Sequence, residues 1–98
     1  MKPPVTVYII ESEKDGRWYS GQSMHPDKRI HEHNRGYSTY TKKFTPWHLF
    51  ASKKFITRTE ALRCERRIKN LKSRARILEY IQKEKFVFTD VRGTESVI

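Results

Sequence analysis

The chain has 98 residues, 21 Lys and Arg against 11 Asp and Glu, and a formal charge of +10. That length suits one small domain with one modest core. No apolar run approaches the ~20 residues that span a bilayer, and Lys2, Pro3 and Pro4 precede no apolar signal region, so neither a membrane span nor a signal peptide is expected. The charge excess points to a polyanionic partner, nucleic acid first and an anionic membrane surface second. Cys64 is the only cysteine, which excludes an intrachain disulfide and fits a reducing cytoplasm.

Val5 to Glu11 reads as a strand, and Arg17 to Ser23 as a second, with Asp15-Gly16 as the turn between them. "HPDKRIHEHNRG" reads as a short helix: Pro26 suits its first position, Asp27 its positive end and Gly36 its C-terminal cap. "YSTYTKKFT" reads as a polar loop, and Pro46 to Phe55 as a third strand. Thr57 or Thr59 can cap a longer helix running to about Lys72. Ser73 can cap a last helix whose Ile77, Leu78 and Ile81 form one apolar stripe. The domain is expected to end near residue 82. Residues 83–98 form a tail in which "KFVFTDV" alternates like an edge strand and "RGTESVI" looks frayed or disordered. The order is β-β-α-β-α-α, a small α/β sandwich with a three-stranded antiparallel sheet flanked by helices.

Several polar side chains fall where a core is expected. Arg29 and His33 lie about 40° apart around the first helix, one turn from each other, beside its only aliphatic residue, Ile30. The alternative is an exposed helix tacked down by Ile30 alone. In the longer helix Ala61, Leu62, Cys64, Ile68 and Leu71 mark the inward arc, and Glu65 projects into it. An inward carboxylate must be paired, protonated or bound to a cation. A simple ion pair with Lys69 meets that need, and so does Mg²⁺ with phosphates and waters completing its shell. With two or four loop residues at Asp15-Gly16, Tyr8 and Tyr19 share a sheet face. Each tyrosine alone is more often packing than chemistry.

Together these residues resemble the GIY-YIG nuclease family, especially its small stand-alone members, which are like the N-terminal domain of the excision-repair nuclease. Thr6-Val7-Tyr8 stands where the family has Gly-Ile-Tyr, and Tyr19-Ser20-Gly21 where it has Tyr-Ile-Gly. Arg29 falls at the family's catalytic arginine and His33 at a histidine found in many members. "HNRGYSTYTKKFTPWHLF" looks like the small members' stretch of His-Asn, Gly, a Tyr-Thr-Lys-Lys segment, Pro and a strand. "EALRCERRIK" looks like their glutamate helix, with Glu65 at the metal-ligand position. The likeness spans about Val5 to Ile81. The departures are Thr6 for glycine and Ser20 for isoleucine.

The resemblance implies a GIY-YIG-type fold and a metal-dependent DNA endonuclease acting in repair, recombination or mobile-element processing. It implies Tyr8, Tyr19, Arg29, His33 and Glu65 as catalytic residues lining one cleft, with Glu65 holding one Mg²⁺ or Mn²⁺. Tyr8 would accept the proton of the attacking water, with His33 as a relay. The substrate would be duplex or branched DNA, with a protein partner supplying specificity. Lys42, Lys43, Arg63, Arg66, Arg67, Lys69 and Lys72 would contact phosphates, and Tyr37, Tyr40, Phe44 and Trp47 would either stack on unpaired bases or anchor the loop and pack the core. Two other readings compete. One is a catalytically inactive nucleic-acid-binding module of the same fold. The other is a zinc site built from His25, His31, His33 and Cys64, which lacks the paired-ligand spacing such sites show.

Overall fold

The computed structural model describes residues 4–89 and 95–97. The elements are β1 (Val5–Ser12), β2 (Trp18–Ser23), α1 (Pro26–Asn34), a 3-10 turn (Thr41–Phe44), β3 (Trp47–Phe55), α2 (Arg58–Leu71), α3 (Arg74–Lys83), β4 (Val87–Thr89) and β5 (Glu95–Val97). The strands form one antiparallel sheet in the order β2-β1-β3-β4-β5.

The helix ends follow the sequence signals. Thr57 Oγ1 accepts from the Glu60 amide at 3.2 Å and donates to the Glu60 carboxylate at 3.0 Å, a reciprocal cap for α2. Ser73 accepts from the Arg76 amide at 3.3 Å at the start of α3. Past α1, Gly36 adopts φ +82°, a backbone angle glycine takes without strain.

The expected three-stranded sheet is corrected to five strands, and the order extends to β-β-α-β-α-α-β-β. Lys85, at φ 62°, turns the chain back after α3. β4 then pairs with β3 through Ala51–Phe88 and Ser52–Val87. It is held by side chains more than by its own length: Phe86 is fully buried, and the Phe88 ring meets Phe50 edge-on at 5.5 Å. Three-residue strands carry too little alternation to be read from sequence. β4 is not an edge, because β5 pairs outside it. The rest of the predicted tail, residues 90–94 and 98, lies outside the described residues. "YSTYTKKFT" is also not a plain loop, since it contains the 3-10 turn.

β1 is buried on both faces from Val5 to Ile10. Its odd positions Val5, Val7 and Ile9 pack with Ala61, Cys64, Ile68, Ile81, Phe86 and Phe88 under α2 and α3. Its even positions Tyr8 and Ile10 pack with Trp47, Tyr19, Ile30, Phe44 and Leu49 on the α1 side. Each large aliphatic side chain fully removed from water stabilises the fold by roughly 1.5–3 kcal/mol, so the α2/α3 layer is the main source of stability. Leu62, expected inward, is 40% exposed; the buried arc of α2 is Ala61, Cys64 and Ile68.

Candidate active site at the sheet edge

The hairpin places the two tyrosines. Ser12 and Arg17 close a four-residue loop, with the Ser12 amide donating to the Arg17 carbonyl at 2.9 Å. The Ser12 hydroxyl accepts from the amides of Lys14 and Asp15, which fixes the turn. The register then opposes Tyr8 to Gly21 and Ile10 to Tyr19, so all four point to the α1 face.

Tyr8 is 2% exposed, and its ring lies across β2 over Gly21. A Cβ at Gly21 would sit 2.5 Å from the Tyr8 hydroxyl and 2.7 Å from Cζ. That is closer than carbon and oxygen can pack, so this glycine is what lets the phenol reach the rim of the sheet. β2 is the outermost strand on this side.

Four of the five candidate residues meet here. His33 is fully buried, and its Nε2 shares a 3.1 Å hydrogen bond with the Tyr8 hydroxyl. The Tyr19 ring meets the His33 ring edge-on at 5.3 Å and stacks on Tyr40 at 5.9 Å. Arg29 interacts with the Tyr8 phenol and pairs with Glu32 at 3.2 Å. So α1 is not an exposed helix held by Ile30 alone.

Burial pushes the Tyr8 phenol up to about 12; Arg29 pulls it down, and the charges of Tyr19 and Glu65 add to the rise. Burial, then Arg29, lowers His33 to about 4, so the imidazole is neutral at neutral pH.

Glu65 stands apart from these four. α2 packs on the opposite layer of the sheet, and no hydrogen bond or ion pair joins Glu65 to them among the described residues. It lies close enough for its charge to act on Tyr8. Its side chain is 12% exposed: Gln22 donates to Oε1 at 2.9 Å, and Lys69 pairs with Oε2 at 2.8 Å. The Lys69 pair is the simple partner that the helix spacing allows. Gln22 also accepts from Arg58 at 3.3 Å, tying β2 to α2.

Two partners of the site were not singled out from the sequence. Thr41, in the 3-10 turn, is fully buried, and its Oγ1 is 2.7 Å from His33 Nδ1. Asn34 clamps the end of α1 to β3, donating to the Trp47 carbonyl at 2.9 Å and accepting from the Trp47 amide at 2.6 Å. Both residues lie within the quoted "HNRGYSTYTKK" stretch, where only the run itself marks them.

Of the expected aromatic platform, Trp47 is 2% exposed and donates its indole N–H to the Thr41 carbonyl at 2.7 Å. It is core and presents no face to a base, and Phe44 lies under the Arg17 guanidinium at 3.6 Å. Tyr37 and Tyr40 are exposed. Lys42, Lys43, Arg63, Arg66, Arg67 and Lys72 are exposed too, while Lys69, also exposed, is engaged with Glu65. The zinc candidates do not gather: His25 and His31 are exposed, and Cys64 lies in the α2/α3 core, where it accepts a hydrogen bond from Tyr80 at 3.6 Å.

Residues 4–87 match the family described as the GIY-YIG catalytic domain. The chain belongs to the GIY-YIG family. Its curated relatives include a UPF0213 protein of Halalkalibacterium halodurans, 41% identical over 69% of this chain and 72% of the relative. Another, from Halobacterium salinarum, is 42% identical over 66% of this chain and 84% of its own length. A third, from Staphylococcus aureus, is 39% identical over 64% and 77%. No solved structure matches it. The GIY-YIG assignment implies a nuclease acting on DNA, and among the described residues no helix is long and apolar enough to cross a membrane.

The departure at Ser20 is now located. Ser20 pairs with Ile9 and faces α2 and α3, away from Tyr8 and Tyr19. It lines a groove of 180 Å³ with Ile9, Trp18, Ile68, Lys69, Lys72 and Ile77, where the family's isoleucine would fill space. Thr6 is 4% exposed and pairs with Ser23 and Lys54, two positions along β1 from Tyr8.

Proposed function

We propose that this GIY-YIG protein is a divalent-metal-dependent endonuclease that hydrolyses DNA phosphodiester bonds, with Tyr8, Tyr19, Arg29, His33 and Glu65 as its catalytic set. The observation that carries this reading is the Tyr8 phenol. It is laid across a glycine at the sheet edge, with a guanidinium, an imidazole and a second phenol around it and a carboxylate charge close by. The setting in repair, recombination or mobile-element processing, in the cytoplasm, rests on the family likeness and the single cysteine.

In this mechanism a water oxygen attacks phosphorus and its proton passes to the Tyr8 oxygen as the bond to the leaving oxygen breaks. A phenol pushed up to about 12 is protonated at neutral pH, so the base must be activated. Arg29 already pulls toward phenolate, and neutralising Glu65 removes one of the influences against it. Arg29 also presents a planar fork to the charge developing on the phosphate. Tyr19, wedged between His33 and Tyr40, orients the water. His33 is neutral and acts as a hydrogen-bonding partner of Tyr8 rather than as a cation.

Glu65 fits a hard divalent cation such as Mg²⁺ or Mn²⁺. It brings two carboxylate oxygens, held here by the Gln22 amide and the Lys69 ammonium, which a cation would displace. No group of three or more His, Cys, Asp or Glu side chains is placed to hold a metal among the described residues, so substrate phosphate and water must complete the shell. When bound, the ion supplies positive charge to the leaving oxygen. The exposed Arg63, Arg66 and Arg67 on α2, with Lys42, Lys43 and Lys72, supply sequence-independent contacts to the DNA backbone.

Plasmid nicking with Mg²⁺ or Mn²⁺ tests this. The wild type is expected to cut, and Glu65→Ala to lose on the order of a hundredfold in rate, the usual cost of one key electrostatic stabiliser. A wild type as inert as Glu65→Ala on duplex, branched, damaged and single-stranded DNA would leave only the binding-module reading.

A further inference from the structure

We propose that Thr41 is a positioning residue that fixes the tautomer of His33, so that Nε2–H donates to the Tyr8 oxygen. Its catalytic meaning rests on the reading of Tyr8 as proton acceptor; the tautomer itself does not.

The inference comes from hydrogen accounting along one chain of groups. Thr41 Oγ1 lies 2.7 Å from His33 Nδ1, and His33 Nε2 lies 3.1 Å from the Tyr8 hydroxyl. A neutral imidazole has one donor nitrogen and one acceptor. If Nδ1 donates to Thr41, the threonine hydrogen needs another acceptor. Thr41 is fully buried, and Nδ1 is the only hydrogen-bond partner of its hydroxyl among the described residues. A buried hydroxyl hydrogen left unpaired forfeits the hydration it had in the unfolded chain with nothing in return. If Thr41 donates to Nδ1 instead, its hydrogen is used, and the proton of the ring sits on Nε2. The unpaired hydrogen then moves to the Tyr8 end, where the side chain keeps a 2% trace of exposure while Thr41 keeps none.

The titratable and charged groups facing His33 agree with this direction. Tyr8 comes from β1 and Tyr19 from β2, Arg29 and Glu32 come from its own helix, and β3 brings the neutral Trp47 behind Thr41. None of them offers Nδ1 a competing partner. With Nε2–H and Arg29 both directed at the Tyr8 oxygen, the phenolate gains two donors. His33 thus stabilises the base as a donor. This replaces the expected relay, in which the proton of the attacking water would pass through His33 to Tyr8.

Long-range ¹H–¹⁵N correlation spectra of the free protein read the tautomer directly and need no substrate. The wild type is expected to show the Nε2–H form at neutral pH. Thr41→Ser should keep it, and Thr41→Val should populate the Nδ1–H form. A wild type in the Nδ1–H form overturns the proposal even if Thr41→Val fails to fold. So does a folded Thr41→Val with an unchanged tautomer. In nicking assays the basic midpoint of the pH–rate profile of Thr41→Val should rise by about one unit, a loss of about tenfold below that midpoint, with Thr41→Ser close to wild type. A lower rate at an unchanged midpoint also overturns it. If no variant nicks DNA, the nuclease reading fails while the spectra still decide the tautomer.

Discussion

The two faces of the sheet are built from one strand and do different work. On the α2/α3 face, Val7, Ile9, Ala51, Ile68 and Ile81 make an aliphatic layer. On the α1 face, β1 contributes Tyr8 between its buried neighbours Thr6 and Ile10, and the facing helix contributes a buried histidine in place of an aliphatic side chain. The aliphatic face holds the fold, which lets the other face carry polar groups that hydrogen-bond one another rather than water. Alternation along β1 separates the aliphatic layer from the polar one within six residues.

Breaking the aliphatic face should give the largest effect. Ile81→Ala deletes a fully buried side chain and is expected to cost about 2–5 kcal/mol in urea unfolding, with any surviving activity keeping its pH dependence. Next comes the boundary between the faces. Gly21→Ala puts a methyl where the Tyr8 hydroxyl lies and should cut nicking by about tenfold or more, while binding of duplex DNA holds within about twofold. A variant that nicks at the wild-type rate would show that the position of Tyr8 does not matter.

Much of this division could be read in advance, and the reasons are specific. Asp15-Gly16 announced a turn, and an even loop length put Tyr8 and Tyr19 on one face. Thr57 and Ser73 announced their helices because capping is local. Thr41 was illegible: a threonine among Ser, Thr and Lys has no period to follow, and its burial depends on Trp47 and His33 arriving from elsewhere. Leu62 misled, exposed on an apolar arc, whereas for Trp47 the packing alternative is the one the fold adopts. Gln22 was silent because its role exists only when α2 lies beside β2.

The polar face should also be the acid-sensitive one. His33 has its folded pKa lowered to about 4 from an ordinary 6.5. The unfolded chain therefore binds more protons between those values. Stability is fully present above about 6.5 and falls as pH drops toward 4. The loss from this group is about 3 kcal/mol, and thermal melts of His33→Gln should show a flatter slope over that window. An identical slope would place the acid sensitivity elsewhere.

The smallest effect belongs to Ser20. Ser20→Ile fills the groove under α2 and α3 and should stabilise by up to about 1 kcal/mol without changing the pH–rate profile. A changed profile would mean that the two faces communicate through β2.

The position of β2 at the border of the sheet has one more consequence. Nothing in the sheet lies beyond the Gly21 backbone on that side. A strand end must be threaded into a deep pocket, whereas a rim can be approached from the flank at any point along a polymer. In the proposed reaction, a phenol beside that rim would be met by the interior of an unbroken chain as readily as by a terminus.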